Sequence, residues 1–175
     1  MLIRPARLDE VPALNTLIAR SARALSRGYY TEAETEALIA HVFGVDSQLI
    51  HNGSYFVVER NAAFLACGGW SDRRTLFGGD QTKSAEDPRL DPSCESARIR
   101  AFFVDPSCAR SGIGRTLLSH AEAAARTKGF HRASLMATLP GVPFYEREGY
   151  HAVERVGHRM PDATTVAFVR MERSL

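Results

Sequence analysis

Cysteine is sparse in this chain: three in 175 residues, at positions 67, 94 and 108, odd in number and without a CxxC pair. A disulfide framework is therefore not expected, and a reducing cytoplasm is the expected compartment. Cys67 reads as a small buried hydrophobe. Charge excess is also missing: 22 Lys and Arg against 20 Asp and Glu leave +2, too little to argue for nucleic acid. No apolar run approaches the roughly 18 residues of a membrane span. The opening MLIRPARLDE turns acidic too early for a secretory signal. The six histidines form no HxxxH pair and join no Cys/His cluster, so no metal site is expected. Internal repeats and long low-complexity tracts are absent.

What is present is an ordinary globular balance, 45% apolar and 24% charged, in a length that fits one domain around one core. Residues 2–6 suit a short edge strand, since Pro5 lacks a ladder donor. Residues 8–24 carry Val11, Leu14, Leu17 and Ile18 at helical spacing, with Asp9 as the expected cap and Pro12 in the first turn. Thr31-Glu32-Ala33-Glu34 has the capping-box form and opens a second helix. Asn52-Gly53 marks a turn, and 54–60 and 63–70 read as hairpin strands joined by Asn61-Ala62. A polar stretch over 71–95 is long for a loop inside a compact domain, the kind that is often functional. A strand at 97–104, a helix at 112–128, a strand at 132–137, a short helix at 141–148 and strands at 150–157 and 164–172 complete the order. This is a mixed α/β sheet with antiparallel hairpins and a central βαβ crossover.

The most informative segment runs from Phe102-Phe103-Val104 through Asp105-Pro106-Ser107-Cys108-Ala109-Arg110-Ser111 to Gly112-Ile113-Gly114-Arg115. A strand runs into a turn that opens a helix. The glycines remove Cβ atoms where a ligand must come close. The first N–H groups of the helix have no internal partner and face an anion with the dipole in the favourable sense. Arg110 and Arg115 add positive charge, so the turn suits a pyrophosphate. A dinucleotide fingerprint would need a third glycine where Leu117 stands. The run Gly78-Gly79-Asp80-Gln81-Thr82-Lys83-Ser84 fails as a P-loop, because Thr82 takes the second glycine's place.

The remaining pattern resembles the acetyl-CoA signature of the GCN5-related N-acetyltransferase (GNAT) family, Gln/Arg-x-x-Gly-x-Gly/Ala, aligned on Ala109-Arg110-Ser111-Gly112-Ile113-Gly114. Ala109 departs from the leading Gln/Arg, with Arg110 next to it. Phe144-Tyr145-Glu146-Arg147-Glu148-Gly149-Tyr150 is similar to the family's Phe-Tyr-x-x-x-Gly-Phe stretch, and Thr138 stands where an Asn is common. The resemblance covers roughly 53–157 and implies a single N-acetyltransferase domain over 1–175, with a GNAT-like, mostly antiparallel sheet flanked by helices. It implies acetyl-CoA as donor, with no metal. Its pyrophosphate is expected on Arg110, Ser111, Gly112, Ile113, Gly114 and Arg115. Pantetheine and acetyl contacts are expected on the backbone of Phe102, Phe103 and Val104. Ile99 to Phe102 breaks period two, so a bulge near 100–102 is expected, splaying this strand from the next.

Acetyl transfer from a thioester needs a neutral amine, a polarised carbonyl and a proton for the leaving thiolate. The resemblance implies Tyr145 as the general acid. The base stays open among Asp46, Glu59, Asp72, Glu95, Glu32 and a water chain. Tyr29, Tyr30 and Trp70 are the candidate acceptor contacts, and Arg73 and Arg74 suit either an acidic substrate or plain surface. The expected reaction is acetylation of a primary amine by direct attack, with a small-molecule acceptor favoured. No nucleic acid or membrane partner is expected, and a homodimer is compatible with the family. The alternatives are a non-catalytic acyl-CoA sensor and an enzyme acting on a protein amino group or an aminoacyl-tRNA.

Overall fold

The structure, a computed structural model, describes residues 1–82 and 87–175. Lys83 and Ser84, the end of the rejected P-loop-like run, and part of the 71–95 stretch lie outside the described residues. The elements are β1 (Leu2–Pro5), α1 (Val11–Leu25), α2 (Glu32–His41), α3 (Ser47–His51), β2 (Tyr55–Arg60), β3 (Ala63–Ser71), β4 (Ala97–Val104), α4 (Ile113–Thr127), β5 (Arg132–Thr138), α5 (Val142–Arg147), β6 (His151–Arg159) and β7 (Thr165–Ser174). The seven strands form one sheet in the order β1-β2-β3-β4-β5-β7-β6. Every neighbouring pair is antiparallel except β4 and β5. The fold is thus the expected mixed, mostly antiparallel sheet with a central βαβ unit.

Local chemistry explains most element ends. Glu34 N donates to Thr31 Oγ1 at 3.1 Å and Thr31 N donates to Glu34 Oε2 at 2.7 Å, the reciprocal box its sequence announces. The first helix departs from expectation at its start. Asp9 does not cap it. A 3₁₀ turn at Leu8–Glu10 precedes α1, and Arg7 N donates to Glu10 Oε2 at 2.8 Å. Glu10 wins because Arg4 also donates to it, from two nitrogens at 2.7 and 3.1 Å. The five-residue α3, capped by Asp46 through Gln48 N, has no counterpart among the elements the sequence pattern marks. Asn61 and Ala62, with φ of 52° and 61°, make the tight β2–β3 turn.

The sheet has a helix layer on each face. Leu117, Leu118, Ala121 and Ala125 of α4 pack on Phe56, Ala66, Ile99, Ala133 and Leu135. On the other face, Leu14, Leu17 and Ile18 of α1 pack on Tyr55, Val57 and Cys67. Leu38 and Val42, at the end of α2, pack on Val166 and Phe168 of β7. The chain after β3 is held by more than a loop's own turns. Arg100 of β4, almost fully buried, donates to the carbonyls of Thr75 and Gly78 at 2.9 and 2.6 Å, and its guanidinium pairs with Asp46 at 3.1 Å.

Candidate active site

The site is built where β4 and β5 part. These parallel strands share only two register pairs, Ala97 with Ala133 and Arg98 with Ser134, and then diverge. On its other side β4 pairs with β3, where Cys67 faces Phe103 and Gly69 faces Arg100. Two steps on β3 thus match three on β4, a bulge at the expected place, with Ala101 at φ 53°. The bulge returns Phe102 and Val104 to the face of Ile99, and all three pack in the cluster under α4. Phe103 takes the opposite face and meets Phe43 edge-on at 5.1 Å. Gly68 is required opposite the bulge, since a Cβ there would lie 2.6 Å from the Phe102 ring. Tyr55 Oη donates to the Ala101 carbonyl at 3.1 Å and fixes the bulge from below.

Beyond Val104 the chain turns through Asp105, whose carboxylate accepts from Ser107 N at 2.9 Å and forms an ion pair with Arg20. Hydrogen bonds from the Ser107 hydroxyl, at 2.6 Å, and then from its N–H hold the Asp105 carboxyl below the usual range. Arg110 and Gly112 have φ of 61° and 86°, and Gly112 is the residue before α4. Among the described residues, the six consecutive N–H groups of residues 110–115 donate to no protein acceptor. The first helical bond in α4 is Thr116 N to Gly112 O at 3.0 Å. A Cβ on Gly112 would meet nothing within 4 Å, so the space over this run is open. The side chains are less free than the backbone. Ser111 Oγ donates to Cys108 O at 2.5 Å, Ile113 is buried in the core, and Arg115 Nε donates to Glu148 at 2.8 Å. Arg110 is exposed and has no ion pair among the described residues. The arrangement fits a diphosphate held by main-chain N–H groups with one exposed cation beside them.

Tyr145 lies one step further. α5 follows β5 through a 3₁₀ turn at Leu139–Gly141, with prolines at 140 and 143 stiffening the path. The Phe144 ring sits 3.5 Å from the Cβ position of Gly114, and Val104 Cγ2 sits at 3.6 Å from the same point. The α4 N-terminus, the end of β4 and α5 therefore meet there. Four tyrosines are buried. Tyr30 Oη donates to Ala167 O at 2.6 Å, Tyr55 Oη to Ala101 O, and Tyr150 Oη to Glu122 at 2.9 Å. The Tyr145 hydroxyl alone donates to no acceptor among the described residues, and burial pushes its phenol above the ordinary value.

The expected acceptor contacts are placed differently. Trp70 is 6% exposed and packs edge-on against Phe130 at 5.9 Å, in the core under α4. Its position on β3 shares the face of Ala66. Tyr30 is also buried: its hydroxyl accepts from Leu139 N at 2.9 Å and ties the α1–α2 turn to the end of β5 and to β7. Tyr29 is 50% exposed on that turn. Other aromatic contacts on this side join Phe43 to Phe103, and Phe77 to His158 and Phe168. Phe77 is the lone large apolar residue between Leu76 and Leu90, and a hydrophobe in so polar a stretch was the available signal. Four candidate bases are held in ion pairs: Asp46 by Arg100, Glu59 by Arg4, Asp72 by Arg89 and Glu95 by Arg74. Glu32 is exposed in the first turn of α2. Two clefts of about 290 and 300 Å³ flank α1, against Phe43 and Asp80 and against Phe64 and Asp105, and Tyr145 lines neither. Among the described residues no three His, Cys, Asp or Glu are grouped to hold a metal, and no helix is long and apolar enough to cross a membrane.

Against known proteins, the family model described as Acetyltransferase (GNAT) family matches residues 19–150. No curated protein sequence matches. Solved structures share the fold at low identity. A GCN5-related N-acetyltransferase from Rhodopseudomonas palustris superposes with a TM-score of 0.73 at 16% identity, covering 99% of this chain and 95% of its own. The PaiA N-acetyltransferase of Thermoplasma acidophilum, solved in complex with coenzyme A, gives 0.66 at 14% identity over 99% and 98%. The yncA protein of Salmonella typhimurium, solved with its cofactor acetyl-CoA, gives 0.63 at 16% identity over 100% and 94%.

Proposed function

The chain belongs to the GNAT acetyltransferase family, and we propose that it transfers the acetyl group of acetyl-CoA to the primary amine of a small molecule by direct attack. One observation carries this reading: the run of unpartnered N–H groups at residues 110–115, opening onto the splay between β4 and β5. When bound, acetyl-CoA supplies an activated thioester. Residues 110–115 hold its diphosphate through main-chain N–H groups, with Arg110 as the adjacent cation. The backbone of Phe102, Phe103 and Val104, released from β5 by the splay, holds the arm that leads to the thioester. Tyr145 Oη, protonated and uncommitted, gives its proton to the departing sulfur.

Direct attack agrees with the cysteines. All three are free, and the buried Cys67 thiol is pushed up to about 12 by burial, the wrong direction for an acyl-accepting nucleophile. Free thiols also support a cytoplasmic setting. A single catalytic domain over residues 1–175 is part of this reading.

The test is calorimetric titration of the protein with acetyl-CoA, beside Gly112→Asp. The variant puts a carboxylate and a β-carbon at φ 86° on the cradle. One-site binding that the variant loses is the expected result. No binding by the folded, ligand-free wild type overturns the reading.

A further inference from the structure

The described residues contain four buried side-chain polar atoms without a hydrogen-bond partner: Nε of Arg73, Arg98 and Arg100, and Oγ of Ser134. All four fall in one region. Arg98, Arg100 and Ser134 project from the sheet face opposite α4, since Ala97, Ile99, Ala133 and Leu135 between them pack beneath that helix. The strand register sets Ser71, Arg98, Ser134 and Glu172 in one row across β3, β4, β5 and β7. Arg73 follows two residues after Ser71, and its N–H donates to Ser71 Oγ at 3.1 Å.

This is a set of donors whose neighbouring acceptors are already engaged. Glu172 accepts from Arg170 at 2.6 Å. Glu95 accepts from Asp91 N at 2.8 Å and pairs with Arg74 at 3.5 Å. Asp46 and the Thr75 and Gly78 carbonyls serve Arg100. Arg98 is the extreme case. It is partly buried, yet it makes no hydrogen bond and no ion pair among the described residues. Burial draws its guanidinium below the ordinary value, opposed by the more distant Glu172 and Glu95. Arg98 Nε and the Ser134 hydroxyl, buried on adjacent strands and each without an acceptor, are costly unless an anion completes them.

The position adds a meaning. Arg98 and Ser134 are the last register pair before β4 and β5 diverge, and the bulge residue Ala101 is three residues on, roughly 10 Å along the strand. We propose that Arg98 and Ser134 form a carboxylate subsite for the acceptor, which is then an amine of amino-acid size that carries its own carboxylate. This rests on the acetyltransferase reading above. A single guanidinium fork with a hydroxyl beside it suits a carboxylate. Glu172 and Glu95 nearby disfavour a dianion such as phosphate.

The experiment compares wild type, Arg98→Ala, Arg98→Lys and Ser134→Ala. The probes are the common L-amino acids and their α-carboxamides, with CoA release, melting temperature and acetyl-CoA affinity as readouts. The expected result is an amino acid preferred over its carboxamide by about tenfold or more in kcat/KM, the size of one charge-assisted contact. In Arg98→Ala that preference collapses through KM while kcat and acetyl-CoA affinity change little. Arg98→Lys keeps part of it, and Ser134→Ala loses a smaller share. Equal use of acids and amides by the wild type, or a preference that survives Arg98→Ala, overturns the proposal. So does a wild type that binds acetyl-CoA but is neither stabilised by nor active on any amino acid. Failure to bind acetyl-CoA instead overturns the acetyltransferase reading. The subsite is then decided by whether an amino acid, and not its amide, raises the melting temperature of wild type but not of Arg98→Ala.

Discussion

Arg100 and Asp46, 54 positions apart in sequence, form an ion pair at 3.1 Å with both side chains almost fully buried. Asp46 also caps α3, and Arg100 also holds the carbonyls of Thr75 and Gly78. One pair therefore joins α3, the chain after β3 and the strand that carries the bulge. Removing one partner of a buried pair leaves an uncompensated charge, at about 3–5 kcal/mol. Asp46→Asn should lose stability of that order in urea unfolding. A loss within 1 kcal/mol, about the value of an exposed pair, would show that the pair is not closed in solution.

Glu10 gives stability a pH dependence at the N-terminal edge. Hydrogen bonds from Arg4, then from Arg7 N, hold its carboxyl below the ordinary value. A carboxyl depressed in the folded state stabilises fully above its unfolded value, near pH 4.3, and that stability fades as pH falls through the folded value. Glu10→Gln should therefore cost about 1 kcal/mol at pH 7, discounted for the partly exposed Arg4. The difference from wild type should shrink below about pH 4. Unfolding curves at pH 7 and pH 3 check this, and a gap that stays constant counts against it.

The β2–β3 turn carries a correctable strain. Ala62 sits at φ 61°, where a β-carbon is unfavourable and glycine is at ease. Ala62→Gly should raise stability by about 0.5–1 kcal/mol, net of the entropy glycine adds to the unfolded chain. A fall in melting temperature would contradict the turn geometry.

Periodicity and punctuation in the sequence carry most of the fold. The strands were marked by alternation and the long helices by stripes, and the break between Ile99 and Phe102 even located the bulge. What stayed hidden was what local pattern cannot carry. α3 has five residues, too few for a helical period to register. Asp9 reads as the cap from local pattern alone, and only Arg4, arriving from β1, fixes the neighbouring Glu10 in its place beside Arg7 N. Trp70 and Tyr30 have the right chemistry for an amine pocket, but their faces depend on parity with Ala66 and on a hydroxyl bridge to Ala167 and Leu139. Within the cofactor turn the glycines and the turn geometry were legible. That Glu148 would engage Arg115 was not, because the two lie 33 residues apart.

Tyr145 differs from the other buried tyrosines in having no acceptor among the described residues, and that difference predicts a kinetic signature. Tyr30, Tyr55 and Tyr150 spend their hydroxyls on Ala167, Ala101 and Glu122, so removing any of those oxygens should cost stability. Tyr145→Phe removes a hydroxyl that bonds no described residue, so it should leave stability within about 0.5 kcal/mol. If that hydroxyl protonates the departing sulfur, kcat should fall by about 100-fold, with acetyl-CoA affinity unchanged. The pH profile adds an independent check. Burial raises the Tyr145 phenol above its ordinary value, so its proton is retained throughout the alkaline range in which an amine acceptor becomes neutral. The wild-type rate should rise with pH as the amine deprotonates and show no descending limb from Tyr145 up to about pH 10. A Tyr145→Phe enzyme of full kcat would remove Tyr145 from the chemistry and leave proton delivery to water.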